Sequence, residues 1–220
     1  MIAFIAALND EASPVTDIFT EKKKTVLYGK TVYTGKFYGK AAVLAISGIG
    51  KVSAALTCQI LINAFSPDII INFGSCGGAD GTVTPLNYYC IDKACQYDFD
   101  VSDVDDVERG YIQEYDRVFF TAQTKYAGFL RTATLATADR FTNKEEDIAA
   151  IKKMGCSVCD MEGAAIAQAC VGCNIPLYIV KGISDVHGSG VQYEQFEKNL
   201  KAVGAGFPAV LKKIIENAGL

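Results

Sequence analysis

The sequence has almost no histidine, the base that usually activates a serine or cysteine nucleophile. Its one histidine, His187, lies in a glycine-rich stretch and is expected to be a surface residue. A single histidine in such a loop does not support a serine–histidine or cysteine–histidine nucleophile pair. The groups that are left for catalysis are carboxylates, which favours acid–base chemistry over covalent acyl transfer.

Long apolar runs and clusters of positive charge are also missing. No run reaches the roughly 18 residues of a membrane helix, and the net charge is −4. The one basic run, Lys22–Lys24, is predicted to be a solvated turn. We therefore expect neither a membrane nor a nucleic acid as a partner. Met1–Leu8 is apolar but lacks a basic segment and a cleavage-site pattern, so it is predicted to be a buried first strand.

Eight cysteines without a signal-peptide pattern favour reduced thiols in a cytoplasmic protein. Four of them form two Cys-x-x-Cys pairs, Cys156 with Cys159 and Cys170 with Cys173, a spacing that zinc sites use. Small apolar residues surround all four, and free cysteine is commonly a small buried hydrophobic side chain. Packed thiols are therefore the favoured interpretation, and a zinc-stabilised binding module is the alternative.

Apolar segments rich in Ile, Val, Tyr and Ala alternate with helix patterns along the chain. The predicted strands are Ile2–Leu8, Thr31–Phe37, Ala41–Ser47, Asp68–Phe73, Asn87–Asp92, Thr132–Ala138, Ser157–Asp160 and Leu177–Ile183. The predicted helices are Pro14–Thr20, Lys51–Ala64, Asn143–Met154 with Asn143 as its cap, Glu162–Val171 and Tyr193–Ala218. We expect one domain over residues 1–220, a three-layer α/β/α sandwich with a central mixed, twisted sheet. Tyr33–Lys40 is predicted to be an antiparallel hairpin.

Glycine turns or carboxylates follow six of the predicted strands. They are Glu11, Ser47–Lys51, Gly74–Gly78, Asp139–Phe141, Asp160–Glu162 and Ser184–Asp185. Ligands in α/β folds lie at the carboxyl ends of the strands. Six such ends on one edge of a sheet predict a ligand pocket there.

Most of these features also have a purely structural interpretation. Glycines after strands are often only tight turns, and Asp185 alone could be a helix N-cap. Ser47–Lys51 is not a full phosphate-binding loop, because Val52 follows the lysine, but its N–H groups could still bind a small polar ligand. Glu162 is harder to explain in this way, since it lies among small apolar residues where an unpaired carboxylate is costly.

Five segments have a combination of order and spacing that identifies a family. They are Ala7–Glu11, Ser47–Ala55, Ile71–Gly78, Asp160–Ala167 and Lys181–Asp185. Together they resemble the purine nucleoside phosphorylase/nucleosidase superfamily, and within it the methylthioadenosine/S-adenosylhomocysteine nucleosidases. The resemblance covers nearly the whole chain. It implies hydrolysis of the N-glycosidic bond of 5′-methylthioadenosine or S-adenosylhomocysteine, which releases adenine and the ribose moiety.

The resemblance implies a role for each matching residue. Glu11 matches the acid that activates water, Glu162 the acid that bonds the ribose hydroxyls, and Asp185 the acid that protonates purine N7. The implied binding residues are Met161 at the ribose, Ile49, Ser75 and Gly77 in the pocket wall, Phe141 stacked on the purine, Thr142 reading the base edge, Ser184 beside Asp185, and Tyr193 near the 5′ end. Cleavage leaves negative charge on the departing base, so we expect Asp185 to have a raised pKa.

Water is the expected nucleophile. Phosphorylases of the resembled superfamily carry an arginine shortly before the glycine loop, where this chain has Ile71–Phe73. Of the four arginines in the sequence, Arg140 lies in a matching pocket segment. The alternatives are a phosphate-dependent purine nucleoside phosphorylase and a non-catalytic nucleoside-binding protein, although binding alone does not require a water-activating acid.

Three departures from the resembled family bear on the substrate. Lys181 stands where many members have arginine, the loop between Asp185 and Tyr193 is short, and Ser102–Gly110 is acidic where aromatic residues are usual. That segment indicates either a surface loop or a nucleosidase for a purine nucleoside with a different, polar or cationic, 5′ substituent. The resemblance further implies a homodimer with the pocket near its interface, and no metal or organic cofactor.

Overall fold

The computed structural model describes residues 1–79, 81–188 and 191–219. The strands are β1 (Ile2–Ala6), β2 (Thr20–Leu27), β3 (Lys30–Phe37), β4 (Lys40–Ile46), β5 (Ile69–Gly78), β6 (Tyr88–Gln96), β7 (Phe120–Thr121), β8 (Arg131–Thr137), β9 (Val158–Asp160) and β10 (Leu177–Val186). The α-helices are α1 (Asn9–Thr16), α2 (Lys51–Phe65), α3 (Glu145–Lys153), α4 (Gly163–Gly172) and α5 (Gln192–Ala218), and a 3-10 turn covers Gln113–Tyr115.

These strands form one mixed sheet. β1 runs parallel to β4 and β5, and β5 runs parallel to β10. β2, β3 and β4 form an antiparallel meander at one edge, and the predicted hairpin is its β3–β4 turn. Tyr38 and Gly39 in that turn both have positive φ, as a tight type I′ hairpin requires. Beyond β5 the order β9, β8, β6, β10 returns to β5, so this part of the sheet closes on itself.

Helices cover both faces of the sheet. α1 and α5 pack together over one face, where Phe4, Phe73 and Phe207 belong to one buried cluster. α2 and α4 pack over the other face, where Cys58 and Ile166 belong to a second cluster. The predicted three-layer sandwich with a mixed sheet is therefore confirmed, and the assignment of residues 1–220 to one domain stays a prediction.

Two sequence predictions near the amino terminus are wrong. Lys22–Lys24 lies in β2, an edge strand that is almost entirely exposed and so lacks the alternating apolar face that marks a strand. Its lysines suit such an edge because they discourage pairing with another chain. The first helix is Asn9–Thr16 rather than Pro14–Thr20, so Glu11 lies inside a helix and not in the loop after β1.

Other element ends also differ from prediction. β5 runs on through Gly78, and β10 runs on through Val186, because the two strands pair with each other to their ends. The predicted glycine turn and Asp185 therefore belong to strands. The residue that precedes α3 is Lys144 rather than Asn143, and it makes no side-chain cap hydrogen bond.

The two Cys-x-x-Cys pairs are separated in the fold. The sulfur of Cys156 lies 3.7 Å from that of Cys95, and the sulfur of Cys170 lies 3.7 Å from that of Cys58, in different apolar clusters. Within the described part of the chain, no group of three or more His, Cys, Asp or Glu side chains could hold a metal ion. The geometry thus gives the zinc-module interpretation no support. No helix in residues 1–79, 81–188 and 191–219 is long and apolar enough to span a membrane.

Candidate active site

A cavity of about 320 Å³ lies where six strand ends meet. Its wall consists of Ala7, Leu8, Glu11, Ile49, Ser75, Cys76, Gly77, Arg140, Phe141, Thr142, Cys159, Asp160, Met161, Glu162, Ser184, Asp185, Gln192 and Phe196. All the predicted site residues except Tyr193 are in this wall. Four of the ends meet because β1, β4, β5 and β10 are neighbours with a common direction. β8 and β9 run in the opposite direction, and they reach the cavity because β9 pairs antiparallel with Gly77 and Gly78 of β5.

Glu11 is held by three hydrogen bonds in the first turn of α1. Its Oε2 accepts the N–H of Leu8 at 3.0 Å, and its Oε1 accepts both the N–H and the hydroxyl of Ser75, each at 2.7 Å. The residue is 2% exposed. Gly74 makes room for the carboxylate, since a Cβ there would lie 3.0–3.1 Å from its atoms. The carboxylate is therefore fixed at the cavity wall, and no lysine or arginine in the described part of the chain forms an ion pair with it.

Glu162 immediately precedes α4. Its Oε1 accepts the N–H of Gly50 at 2.9 Å, at the start of α2, so the carboxylate links two helix ends across the cavity. Burial raises the pKa of Glu162 to about 7; the Asp160 carboxylate adds to this rise and Lys181 opposes it. The surroundings of Glu162 therefore disfavour its ionised form, and Lys181 counters that effect.

A buried ion pair lies behind Glu162. The Lys181 ammonium is 2.8 Å from Asp160 Oδ2, and both side chains are at most 2% exposed. Asp160 also accepts the Thr137 hydroxyl at 2.6 Å and the Gly163 N–H at 2.8 Å, which fixes the start of α4. Burial alone would lower the pKa of Lys181, but the carboxylates of Asp160 and Glu162 outweigh burial and raise it. Lys181 thus stays charged and offsets two carboxylates.

Asp185 is buried near the end of β10. Its Oδ1 accepts the Ser184 hydroxyl at 2.6 Å, and its Oδ2 accepts the Gln192 side-chain N–H at 2.7 Å. Gly77 allows this approach, since a Cβ there would lie 3.1 Å from Oδ2. Burial raises the pKa of Asp185, and the two hydrogen bonds oppose the rise. The pKa of Asp185 is therefore raised, as expected, and the pKa of Glu162 is raised as well.

An aromatic wall faces these carboxylates. The ring of Phe141 is 5.9 Å from that of Phe196 and 6.2 Å from that of Tyr193. Tyr193 itself is 57% exposed and is not among the residues of the described cavity wall, so its place near the 5′ end of the substrate stays a prediction. α5 instead lines the cavity with Gln192 and Phe196, which sequence reasoning missed. Their spacing of four residues places them on one helix face, a signal that was available in the sequence.

The structure also places two other segments for which the sequence raised expectations. His187 is partly buried at the surface: its side chain is 12% exposed, and its Nε2 lies 3.2 Å from Oε1 of Glu145, which is 92% exposed. Ser102–Gly110 contributes nothing to the described cavity wall, and Arg109 at its end pairs with Asp100 at 2.6 Å. The surface-loop interpretation of the acidic segment therefore fits this chain.

Comparison with known proteins places the chain in a class. The family model described as the phosphorylase superfamily matches residues 1–216, so the chain belongs to this superfamily. The matched range contains every strand of the described sheet, the residues of the cavity wall, and all of the covering helices except the last two residues of α5.

Individual relatives narrow the assignment. The 5′-methylthioadenosine/S-adenosylhomocysteine nucleosidase of Buchnera aphidicola is 33% identical over 98% of this chain and 97% of its own length. That of Geobacillus sp. is 32% identical over 89% and 90%. The crystal structure of the Colwellia psychrerythraea nucleosidase in complex with adenine matches with a TM-score of 0.91 and 27% identity, covering 98% of this chain and 94% of the other. Within the superfamily, the chain belongs to the 5′-methylthioadenosine/S-adenosylhomocysteine nucleosidases.

Proposed function

We propose that this chain hydrolyses the N-glycosidic bond of 5′-methylthioadenosine or S-adenosylhomocysteine, releasing adenine and the ribose moiety. The observation that carries the proposal is the convergence of three buried carboxylates, Glu11, Glu162 and Asp185, on one cavity. Each has different hydrogen-bond partners, which allows one acid to be protonated while others are ionised. The relatives named above support the choice of substrate.

The three acids fit the charge changes of glycosidic cleavage. Positive charge develops on the ribose and negative charge on the leaving base. Ionised Glu162 would accept hydrogen bonds from the ribose hydroxyls and stabilise the positive charge on the ribose. Asp185, whose pKa burial raises, would give its proton to the purine. Glu11, held rigidly by Ser75 and Leu8, would take the proton of the attacking water.

The same contacts favour water over phosphate. Both donors of Ser75 are taken by Glu11, so they are not free to bind an anion. Arg140, the arginine of the described cavity wall, lies 3.4 Å from Asp147 Oδ1. A phosphate beside Glu11 and Glu162 would therefore meet negative charge without a dedicated cation.

Substrate binding would use the remaining wall. Phe141 and Phe196 offer aromatic faces for the purine. Met161 and Ile49 would contact the ribose side, while Thr142, Ser184 and Gly77 shape the base end around Asp185. Tyr193, exposed beside Phe141, could approach a 5′ substituent only from the cavity mouth.

Homodimer formation and a cytoplasmic location are parts of the same proposal. Ile49, Val52 and Leu56 form an exposed apolar strip at the start of α2, beside the cavity, with Val52 78% exposed. Exposed apolar strips of this kind commonly mark interaction surfaces. We expect Val52→Asp to shift the protein from dimer to monomer in sedimentation equilibrium; a monomeric wild type would contradict the dimer.

The direct test is product analysis of the purified protein. Methylthioadenosine, S-adenosylhomocysteine, adenosine and inosine are each supplied with and without phosphate. We expect free adenine and free sugar from the first two substrates without phosphate. Turnover that requires phosphate and yields a sugar 1-phosphate would replace the proposal by a phosphorylase. Binding without cleavage of any substrate would indicate a nucleoside-binding protein.

A further inference from the structure

Gln192, the first residue of α5, makes an unusual pair of contacts in the cavity wall. Its Nε2 donates to Asp185 Oδ2 at 2.7 Å and to the Thr142 carbonyl at 3.0 Å. One side-chain amide thus bridges the end of β10 and the segment that follows β8. Neither the sequence motifs nor the roles proposed above account for it.

The Thr142 carbonyl determines which way the amide faces. A carbonyl oxygen can only accept, so the nitrogen of Gln192 and not its oxygen must point toward Thr142. The second hydrogen of the same nitrogen is then directed at Asp185. Gln192 therefore presents a donor to the carboxyl, an arrangement that favours its ionised form.

We propose that Gln192 is a positioning residue for the cleavage reaction, whose amide holds the Asp185 carboxyl and the Phe141–Thr142 wall together as one unit. This inference rests on the proposed function. The proton donor would then keep its place relative to the stacked purine. A purine nitrogen that approaches Oδ2 must compete with the Gln192 amide for this oxygen. Proton donation by Asp185 would therefore require a purine that is fully bound in the cavity.

Titratable side chains near Asp185 include Cys76, Cys159 and His187. Gln192 acts on the Asp185 carboxyl in addition to these groups. Burial raises the pKa of Cys76 on β5 and raises that of Cys159 on β9 to about 12, so both thiols stay neutral near pH 7. His187 lies two residues along the chain and contacts Glu145 of α3. Burial raises the pKa of Asp185, whereas the Ser184 and Gln192 hydrogen bonds lower it.

Two variants and a matched control test this proposal. Gln192→Met keeps the side-chain length and removes the donor. Gln192→Glu keeps the shape and suits the start of a helix, where acidic residues are favourable. The control is Gln195→Met, because Gln195 binds the Val186 N–H at 3.3 Å and so links the same helix and strand without touching the carboxyl.

The pH dependence of kcat/KM gives the first readout. Its alkaline limb reports loss of the proton from the acid of the free enzyme. Removing a donor from a carboxylate raises its pKa, so the limb should move to higher pH, by about one unit in Gln192→Met and further in Gln192→Glu. We expect kcat to fall about tenfold through loss of orientation. Gln195→Met should leave the limb in place.

Titration of the free protein by ¹³C NMR gives a readout that needs no activity. The Asp185 carboxyl signal is assigned by its loss in Asp185→Asn. We expect its midpoint to rise in both Gln192 variants and to stay unchanged in Gln195→Met. An unmoved midpoint in the Gln192 variants, or an equal shift in the control, would overturn the inference. Failure of the wild type to cleave nucleosides would instead count against the proposed function.

Discussion

Replacing Glu11 by glutamine should lower kcat by about 10²- to 10⁴-fold, the usual contribution of a general base. Glutamine has the same shape, and its carbonyl oxygen can still accept the two Ser75 bonds that hold Glu11. Its NH2 group cannot accept the Leu8 N–H, so one of the three bonds is lost. Glutamine cannot take a proton from water, so the loss should appear in kcat with little change in KM. The measurement is steady-state adenine release, with thermal unfolding as a check of the fold.

Asp10→Asn is the matched control for this prediction. Asp10 precedes Glu11 in the first turn of α1, but it is exposed and outside the cavity wall. The control should cleave at nearly the wild-type rate. If Glu11→Gln kept more than about a tenth of the wild-type kcat, Glu11 would not be the base.

The second large effect is on stability. Lys181→Met should lower the free energy of unfolding by about 3–5 kcal/mol, because it leaves Asp160 buried without its cation. Asp160 cannot turn to solvent, since Thr137 and Gly163 also hold it. The measurement is the midpoint of urea unfolding at pH 8.

The stability of Lys181→Met should also depend on pH in a way that tests this explanation. A buried carboxyl without a cation gains stability by taking up a proton, so the folded variant binds more protons than the unfolded chain. Its stability is then retained at low pH and lost as pH rises. The gap from the wild type should therefore shrink at pH 5. Lys212→Met removes an exposed pair of Lys212 with Glu216 at 3.6 Å and should cost well under about 1 kcal/mol. Equal losses in the two variants would contradict this account.

The polar residues at the ends of apolar strands predicted most of the candidate site. Glu11, Glu162 and Asp185 are distant in the chain, yet each follows or ends an apolar run. β1 and β10 both run parallel to β5, which brings Glu11 and Asp185 to one edge of the sheet. Glu162 reaches the same edge because β9 pairs antiparallel with the end of β5, which the sequence did not show. The fold class followed from the same alternation. The strand lengths did not. β5 continues through Gly74, Gly77 and Gly78, and β10 continues through Ser184–Val186, and the extended conformation of both segments depends on pairing between the two strands.

Contacts between side chains that are distant in the chain could not be predicted from the sequence. Nothing local marks Lys181 as the partner of Asp160, or Gln192 as the partner of both Asp185 and Thr142. β2 was not predicted for a related reason. It is an exposed edge strand without alternating apolar residues, and only its pairing with β3 defines it as a strand.

The sequence by itself determined the layered fold, the family and the set of acids at the strand ends. These properties depend on hydrophobic periodicity and on short motifs, both of which are local along the chain. Only the tertiary structure decided which donor each carboxylate meets, how deeply each is buried, and which face of α5 closes the cavity. Such properties depend on distances between segments far apart in sequence, and these distances are fixed only when the helices pack on the sheet.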